Sequence, residues 1–342
     1  MAGFLGEQLS SIGFGVIGLG RIGGFHADSL LHRVSGARLV AAVVDEEHRR
    51  RLIEAGDAPC ELEESVPALL ARPEVEAVVV ASPAVAHNEH IAMAAGAGKA
   101  IFSEKPLADS VAKAEAAAEA VEAVGVPFQI GFQRRYDRGY ARARELIAAG
   151  AIGDVEMFRG MSCDRLGPIE FLKTSGGIFM DLASHDFDAA RYLTGEEITE
   201  VFAVGAVLVE PELATFDDVD YAIVLLRFAN GALGVVQEAW RAPYGYDIRA
   251  EVHGSKGKVI AELDEKFPAT LYDERGKVSS RHDRFVERFA DAYVAELQAF
   301  VDALHGGTAP TPGLEDGLQA MRIAAAATKS RREGGWVSVA DV

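Results

Sequence analysis

"GFGVIGLGRIGGFHADSLLHRV" (residues 13–34) changes its periodicity once. Up to Ile17 it is a short apolar run broken by glycines, as in a strand covered on both faces. From Leu19 onward its apolar residues take helical spacing. The joint is Gly18-Leu19-Gly20-Arg21-Ile22-Gly23, a GxGxxG pattern at the place where a strand hands over to a helix. Glycines there permit a tight turn and let a pyrophosphate approach the free N–H groups of the helix N-terminus. Asp45 closes the next apolar run, "ARLVAAVVD" (37–45), 22 positions after Gly23. At that spacing an acid accepts hydrogen bonds from an adenosine ribose and repels a 2′-phosphate. Gly18, Gly20, Arg21, Ile22, Gly23 and Asp45 are therefore the expected cofactor contacts, with NAD favoured over NADP. The run Arg49-Arg50-Arg51 reads as a solvated helix face in preference to a phosphate clamp.

Outward from this joint the alternation continues. "VEAVVVASP" (75–83), "HNEHIAMAAGAG" (87–98), "KAIFSEKP" (99–106), "SVAKAEAAAEAVEAVG" (110–125) and "VPFQIGF" (126–132) read as strand, helix, strand, helix, strand. Apolar strands separated by helices predict a doubly wound parallel sheet, an α/β Rossmann domain over residues 1–132. From residue 153 the chain becomes strand-rich, and "ANG" and "GSKG" read as hairpin turns. Residues 133–342 are expected to form an α+β domain on an open, largely antiparallel mixed sheet, covered on both faces. The amphipathic stretches 284–307 and 314–335 are expected to bridge back toward the nucleotide domain, the latter as a helix at 314–332.

The bulk numbers narrow the partners. The 342 residues carry 34 basic and 52 acidic side chains, a formal charge of −18, which disfavours nucleic acid and anionic membrane surfaces. Two cysteines, Cys60 and Cys163, are too few and too distant for a disulfide scaffold or a cysteine zinc site. No apolar stretch reaches membrane-spanning length, and the opening residues lack a basic n-region and a cleavage signature, so a cytoplasmic location is expected.

Two further segments carry chemistry. "GGIFMDLASHDFD" (176–188) sets Asp181 and His185 four apart and Asp188 three further on, one face if the segment is helical. Burying such a face is costly unless its groups are paired or used. Zinc is one use for the three, but no other histidine or cysteine cluster completes a site, and no metal is expected. "SEKPLA" (103–108) ends a strand at Glu104-Lys105-Pro106, and a lysine there points into the crevice where parallel sheets bind ligands.

These motifs together resemble the glucose–fructose oxidoreductase/inositol dehydrogenase (Gfo/Idh/MocA) family. The resemblance rests on "GVIGLGRIGGFH" (15–26), "ASPAVAH" (81–87), "SEKPLA" (103–108), "GFQRRYD" (131–137), "FLKTSGGIFMDLASHDFDAARYL" (171–193), "YGYDIRAEVHGSKG" (244–257) and "LEDGLQA" (314–320). Within the family the chain looks most like the inositol 2-dehydrogenase branch. It departs at Gln133, where that branch often carries methionine, and at "MSCDRLGP" (161–168), in place of an arginine–asparagine–proline signature.

The resemblance implies hydride transfer from a secondary alcohol of a cyclic polyol, myo- or scyllo-inositol, to NAD. His185 would be the general base, with Asp181 orienting its imidazole or binding an adjacent hydroxyl. Lys105 would hydrogen-bond the same oxygen and offset its developing charge, or share the proton relay with His185. Ser82, Pro83, His87, Glu104 and Lys105 would contact the cofactor. Arg135, Asp164, Lys173 and Tyr244 would join Lys105, Asp181 and His185 around the substrate, with Tyr246 and Trp240 either closing the pocket or packing the sheet. The family also implies a homodimer or homotetramer assembled through the C-terminal sheet. Two alternatives accompany this reading: another sugar or retained-NAD glycosidase-type enzyme of the same fold, and a non-catalytic NAD-binding regulator. An intact Lys105, Asp181 and His185 speaks against the regulator.

Overall fold

Between Ile12 and Gly131 apolar strands and helices alternate through eleven elements, six strands and five helices. A computed structural model describes residues 11–261, 265–267, 269–274 and 276–342. Residues 1–10, weighed above as a possible leader, lie outside them. The strands are β1 (Ile12–Ile17), β2 (Ala37–Val43), β3 (Glu61–Glu63), β4 (Ala77–Val80), β5 (Ala100–Glu104) and β6 (Phe128–Gly131). Between them run α1 (Arg21–His32), α2 (Glu46–Ala55), α3 (Val66–Leu70), α4 (Ala84–Gly96) and α5 (Val111–Val124). The strands pair in parallel in the order β3-β2-β1-β4-β5-β6, the doubly wound arrangement that places a switch point between β1 and β4. Every residue of β4 and β5 is buried, which explains why these strands read as unbroken apolar runs.

The second unit comprises α6 (Arg138–Ala148), β7 (Val155–Cys163), α7 (Ile169–Leu172) and a π turn (Phe179–Ala183) that runs into α8 (Ser184–Thr194). Strands β8 (Ile198–Ala206), β9 (Tyr221–Phe228), β10 (Leu233–Ala239), β11 (Asp247–Gly254) and β12 (Gly257–Ala261) follow, then a hairpin of β13 (Thr270–Asp273) and β14 (Gly276–Ser279). The chain ends in α9 (Phe285–Arg288), α10 (Ala290–Gly306), α11 (Leu314–Glu333) and β15 (Val337–Ser338). The main sheet has the order β12-β11-β7-β10-β9-β8-β15, antiparallel except where β10 pairs with β7. The expected turns at "ANG" and "GSKG" join β9 to β10 and β11 to β12. β9 alternates buried and exposed residues along its length. One face of the sheet is thus covered within this chain; the other, which the sequence reading expected a second subunit to cover, shows Val204, Ile223, Leu225 and Leu233 to solvent.

The last two long helices part company. α10 belongs with the nucleotide unit, where Phe300 meets Phe14 edge-on at 6.1 Å and Phe102 at 5.9 Å. Such aromatic pairs add roughly 0.5–1.5 kcal/mol beyond the area they bury. From Glu315 onward α11 groups with the second unit, the domain to which the sequence reading assigned it. Its Ser330 Oγ accepts from the Ala203 N–H of β8, and its Asp316 accepts from Arg135 at 2.7 Å, ties that a helix of alternating alanine and charge does not announce.

Candidate active site

The three glycines of the first turn do different jobs. Gly18 has φ +97°, and a Cβ on it would lie 2.7 Å from the Ala81 carbonyl oxygen, so the turn presses against the end of β4. On Gly23 a Cβ would lie 1.9 Å from the Gly18 carbonyl oxygen, so only hydrogen lets α1 sit this close to the turn. Gly20 is exposed, caps α1 without a side-chain hydrogen bond, and would place a Cβ within 4 Å of nothing. Space in front of an uncapped helix N-terminus, with no acid in the first turn, fits a pyrophosphate. Arg21 and Ile22 open α1 beside it. Asp45 is exposed at the start of α2, and its Oδ1 accepts from the His48 N–H at 2.9 Å. That cap fixes the carboxylate at the end of β2, where a ribose would meet it. Arg51 is drawn to Glu47 at 3.6 Å along the exposed face of α2.

The loops after β4 and β5 are tied together by His87. Its Nδ1 lies 2.6 Å from the Pro106 carbonyl oxygen and its Nε2 lies 2.6 Å from that of Ser82. Only an imidazolium donates to both, whereas burial pushes the His87 pKa down. With both nitrogens committed to carbonyls, His87 holds the loops and offers none to a cofactor, unlike the expectation above. Ser82 Oγ meets His90 Nδ1 at 2.9 Å, and Pro83 is exposed at the cap of α4. Lys105 follows β5, half-buried, with a cis peptide to Pro106. Glu104 was expected at the cofactor but is buried and bonded to His26 Nε2 at 2.8 Å, on the interior side of the strand end.

In the second unit Asp181 lies inside the π turn and His185 two residues past its end. A π turn closes i to i+5, widening the helix at one point, and such turns recur at functional sites. It is preceded by Gly176 and Gly177, both at positive φ. Asp218 locks the entry by accepting from the Ile178 N–H at 3.0 Å. Asp181 and His185 are both half-buried, and the His185 ring stands edge-on to Phe132 at 6.1 Å. Asp188 does not share their environment. It is buried and gripped by Arg135 Nε and Nη2 at 3.0 and 2.6 Å. Arg135 also reaches Asp316, so its guanidinium is spent inside the protein and not on a substrate.

Asp186, the residue after His185, belongs to a buried network that the sequence reading missed. Arg134 forms an ion pair with Asp186 at 2.9 Å and donates from Nη2 to Ser162 Oγ at 2.9 Å, and Ser162 Oγ donates to Asp186. Glu238 joins from β10, its carboxyl pushed well up by burial and by Asp186. Gly160 leaves room for this, since a Cβ there would lie 2.9 Å from Asp186 Oδ1. The available signal was the Arg134-Arg135 doublet facing Asp186-Phe187-Asp188: neighbouring arginines take carboxylates two apart. Lys173 pairs with Glu170 at 2.9 Å and Glu212 at 3.0 Å on the surface. Asp164 follows β7, its N–H bonded to the Ala239 carbonyl, while Tyr244 is 54% exposed and Trp240 and Tyr246 are buried.

Residues 12–132 match the profile "Oxidoreductase family, NAD-binding Rossmann fold", and residues 144–339 match "Oxidoreductase family, C-terminal alpha/beta domain". The chain is 40% identical over 330 residues to the myo-inositol 2-dehydrogenase of Thermotoga maritima, covering 96% of this chain and 98% of that protein. It is 38% identical over 320 residues to the scyllo-inositol 2-dehydrogenase (NAD(+)) of Bacillus subtilis, covering 93% and 94%. The crystal structure of scyllo-inositol dehydrogenase from Lactobacillus casei with bound NAD(H) and scyllo-inositol superposes with a TM-score of 0.89 at 30% identity, covering 97% of this chain and 100% of that one.

Proposed function

This chain belongs to the Gfo/Idh/MocA oxidoreductase family, and from that premise we propose that it is an NAD-dependent dehydrogenase that oxidises a secondary alcohol of an inositol to the ketone. The observation that carries this reading is the near-complete coverage, at 38–40% identity, of relatives named for that reaction. The glycine turn fits the cofactor, because Gly20 keeps the helix N-terminus open and Asp45 stands at ribose distance in sequence. NAD supplies the hydride acceptor.

The remaining work falls to side chains of this chain. His185 takes the hydroxyl proton as the carbonyl forms, and Asp181 in the wide turn orients the imidazole or a neighbouring hydroxyl. Lys105 donates to the reacting oxygen, where a cation lowers the cost of developing negative charge. Asp164 and Tyr244 contact the polyol. We place the enzyme in the cytoplasm as a homodimer or homotetramer. Support for assembly comes from the apolar strip Val204, Ile223 and Leu225 on the open face of the sheet, where Val204 and Ile223 stand in register on adjacent strands.

The test is NADH formation with NAD or NADP across myo-, scyllo- and chiro-inositol, glucose, galactose and xylose. Turnover with NAD and an inositol is expected. Lys105→Ala and His185→Ala should each lower kcat about a hundredfold or more while NAD still binds. Turnover confined to an aldose would overturn the substrate, and near-normal turnover in either variant would overturn that residue's role.

A further inference from the structure

Among the described residues three buried imidazole and carboxyl side chains come together apart from the catalytic assignments: His26 on α1, Glu104 at the end of β5 and Glu296 on α10. Their nearest ligand atoms all lie within 4.8 Å of one another, inside the nucleotide unit. His26 and Glu296 have no solvent exposure, and Glu104 has 7%. The walls are apolar rings, with Phe102 at 5.2 Å and Tyr293 at 6.0 Å from the His26 ring. His26 Nε2 serves Glu104 Oε1, but neither carboxyl oxygen of Glu296 has a donor. The backbone around Glu296 is fixed, since its carbonyl accepts from Gln129 Nε2 of β6 at 2.9 Å.

Two ionised carboxylates cannot share so dry a space with one imidazole that serves only Glu104. We propose that Glu296 enters this site as a neutral carboxylic acid beside the Glu104 carboxylate, and that the His26–Glu104–Glu296 group positions the strand end from which Lys105 is presented. Burial, and then the charge of Glu104, push the Glu296 carboxyl well above the usual range, in the same direction. The titratable groups beside it are His26 from α1 and Glu104 from β5, with Tyr293 of its own helix against the His26 ring. Gly131 of β6 contributes room, because a Cβ there would press on the Glu104 carboxyl at 3.2–3.3 Å. The group thus bolts α1, which carries the glycine turn, and α10 to the residue immediately before Lys105. Glu296 is a positioning residue, acting through Glu104. Only the kinetic part of this inference rests on the dehydrogenase reading.

The test compares the full-length wild type with Glu296→Gln and Glu296→Ala. Near neutral pH the wild-type infrared spectrum should contain a protonated-carboxyl C=O band that disappears in E296Q. A group whose folded pKa is raised loses its stabilising contribution as pH climbs from its unfolded value toward the folded one. The wild-type Tm should therefore fall relative to that of E296Q as pH rises above about 4.5, the ordinary glutamate value. E296Q should keep kcat within about twofold, while E296A should lower kcat about tenfold or more with little change in KM, as displacement of a catalytic group does. Absence of the infrared difference, or a Tm gap independent of pH, would overturn the protonated assignment. So would one equivalent of tightly bound zinc or manganese in wild type that E296Q lacks, which would make the group a metal site. Equal kcat in E296A and E296Q would overturn the positioning role. If no inositol is turned over by wild type, the infrared and Tm results still decide the proton, and the substrate reading fails alone.

Discussion

Arg135 holds Asp188 through both arms of its guanidinium, at 3.0 and 2.6 Å, with Asp188 only 1% exposed. Removing one partner of a buried pair strands the other charge, at a cost of about 3–5 kcal/mol. Arg135→Ala should lower the Tm markedly and affect activity only through loss of folded enzyme. A selective rise in KM for the inositol, with unchanged Tm, would return Arg135 to the substrate.

The three glycines of the turn separate folding from binding. Gly23→Ala forces a methyl onto the Gly18 carbonyl, and overpacking of this kind costs about 1–3 kcal/mol or more. Gly20→Ala meets no protein atom. It should leave the Tm nearly unchanged while raising KM for NAD about tenfold, because the methyl occupies the space a pyrophosphate needs. Equal losses of Tm in the two variants would contradict this division.

Asp45 has a double role as helix cap and ribose acceptor. Asp45→Ala should cost about 0.5–2 kcal/mol through the lost cap to the His48 N–H. Asp45→Ser keeps a capping oxygen and removes the charge that repels a 2′-phosphate. The ratio of kcat/KM for NAD over NADP should fall about tenfold or more in the serine variant with little loss of stability. An unchanged ratio would show that Asp45 does not face the ribose.

Ile223 is 47% exposed in the middle of β9, on the face that alternation leaves uncovered. A charge placed in an apolar interface is expensive to desolvate. Ile223→Glu should shift the protein toward monomers in light scattering after size-exclusion chromatography, with its secondary structure intact by circular dichroism. A wild type that is already monomeric would refute assembly through this face.

The glycine turn, the parallel sheet and the strand-end position of Lys105 were legible because each depends on neighbours a few residues away. Periodicity and spacing express such local preferences directly. The helix at 176–188 was legible as an element but not in its detail. Asp181, His185 and Asp188 fall on one face of an ideal α-helix, but the π turn changes the offset of Asp181 from the two residues on α8, and Arg135 takes the buried Asp188.

What the sequence determined by itself is therefore the nucleotide-binding half, its phosphate turn and the residue types on which the chemistry depends. Tertiary structure alone decided the partners: Arg134 with Asp186, Arg135 with Asp188 and Asp316, His87 with two carbonyls, and Glu104 with His26 across 78 residues of chain. The physical reason is that a buried charge takes whichever partner packing brings within hydrogen-bond reach, and packing joins segments whose separation along the chain carries no periodic signal.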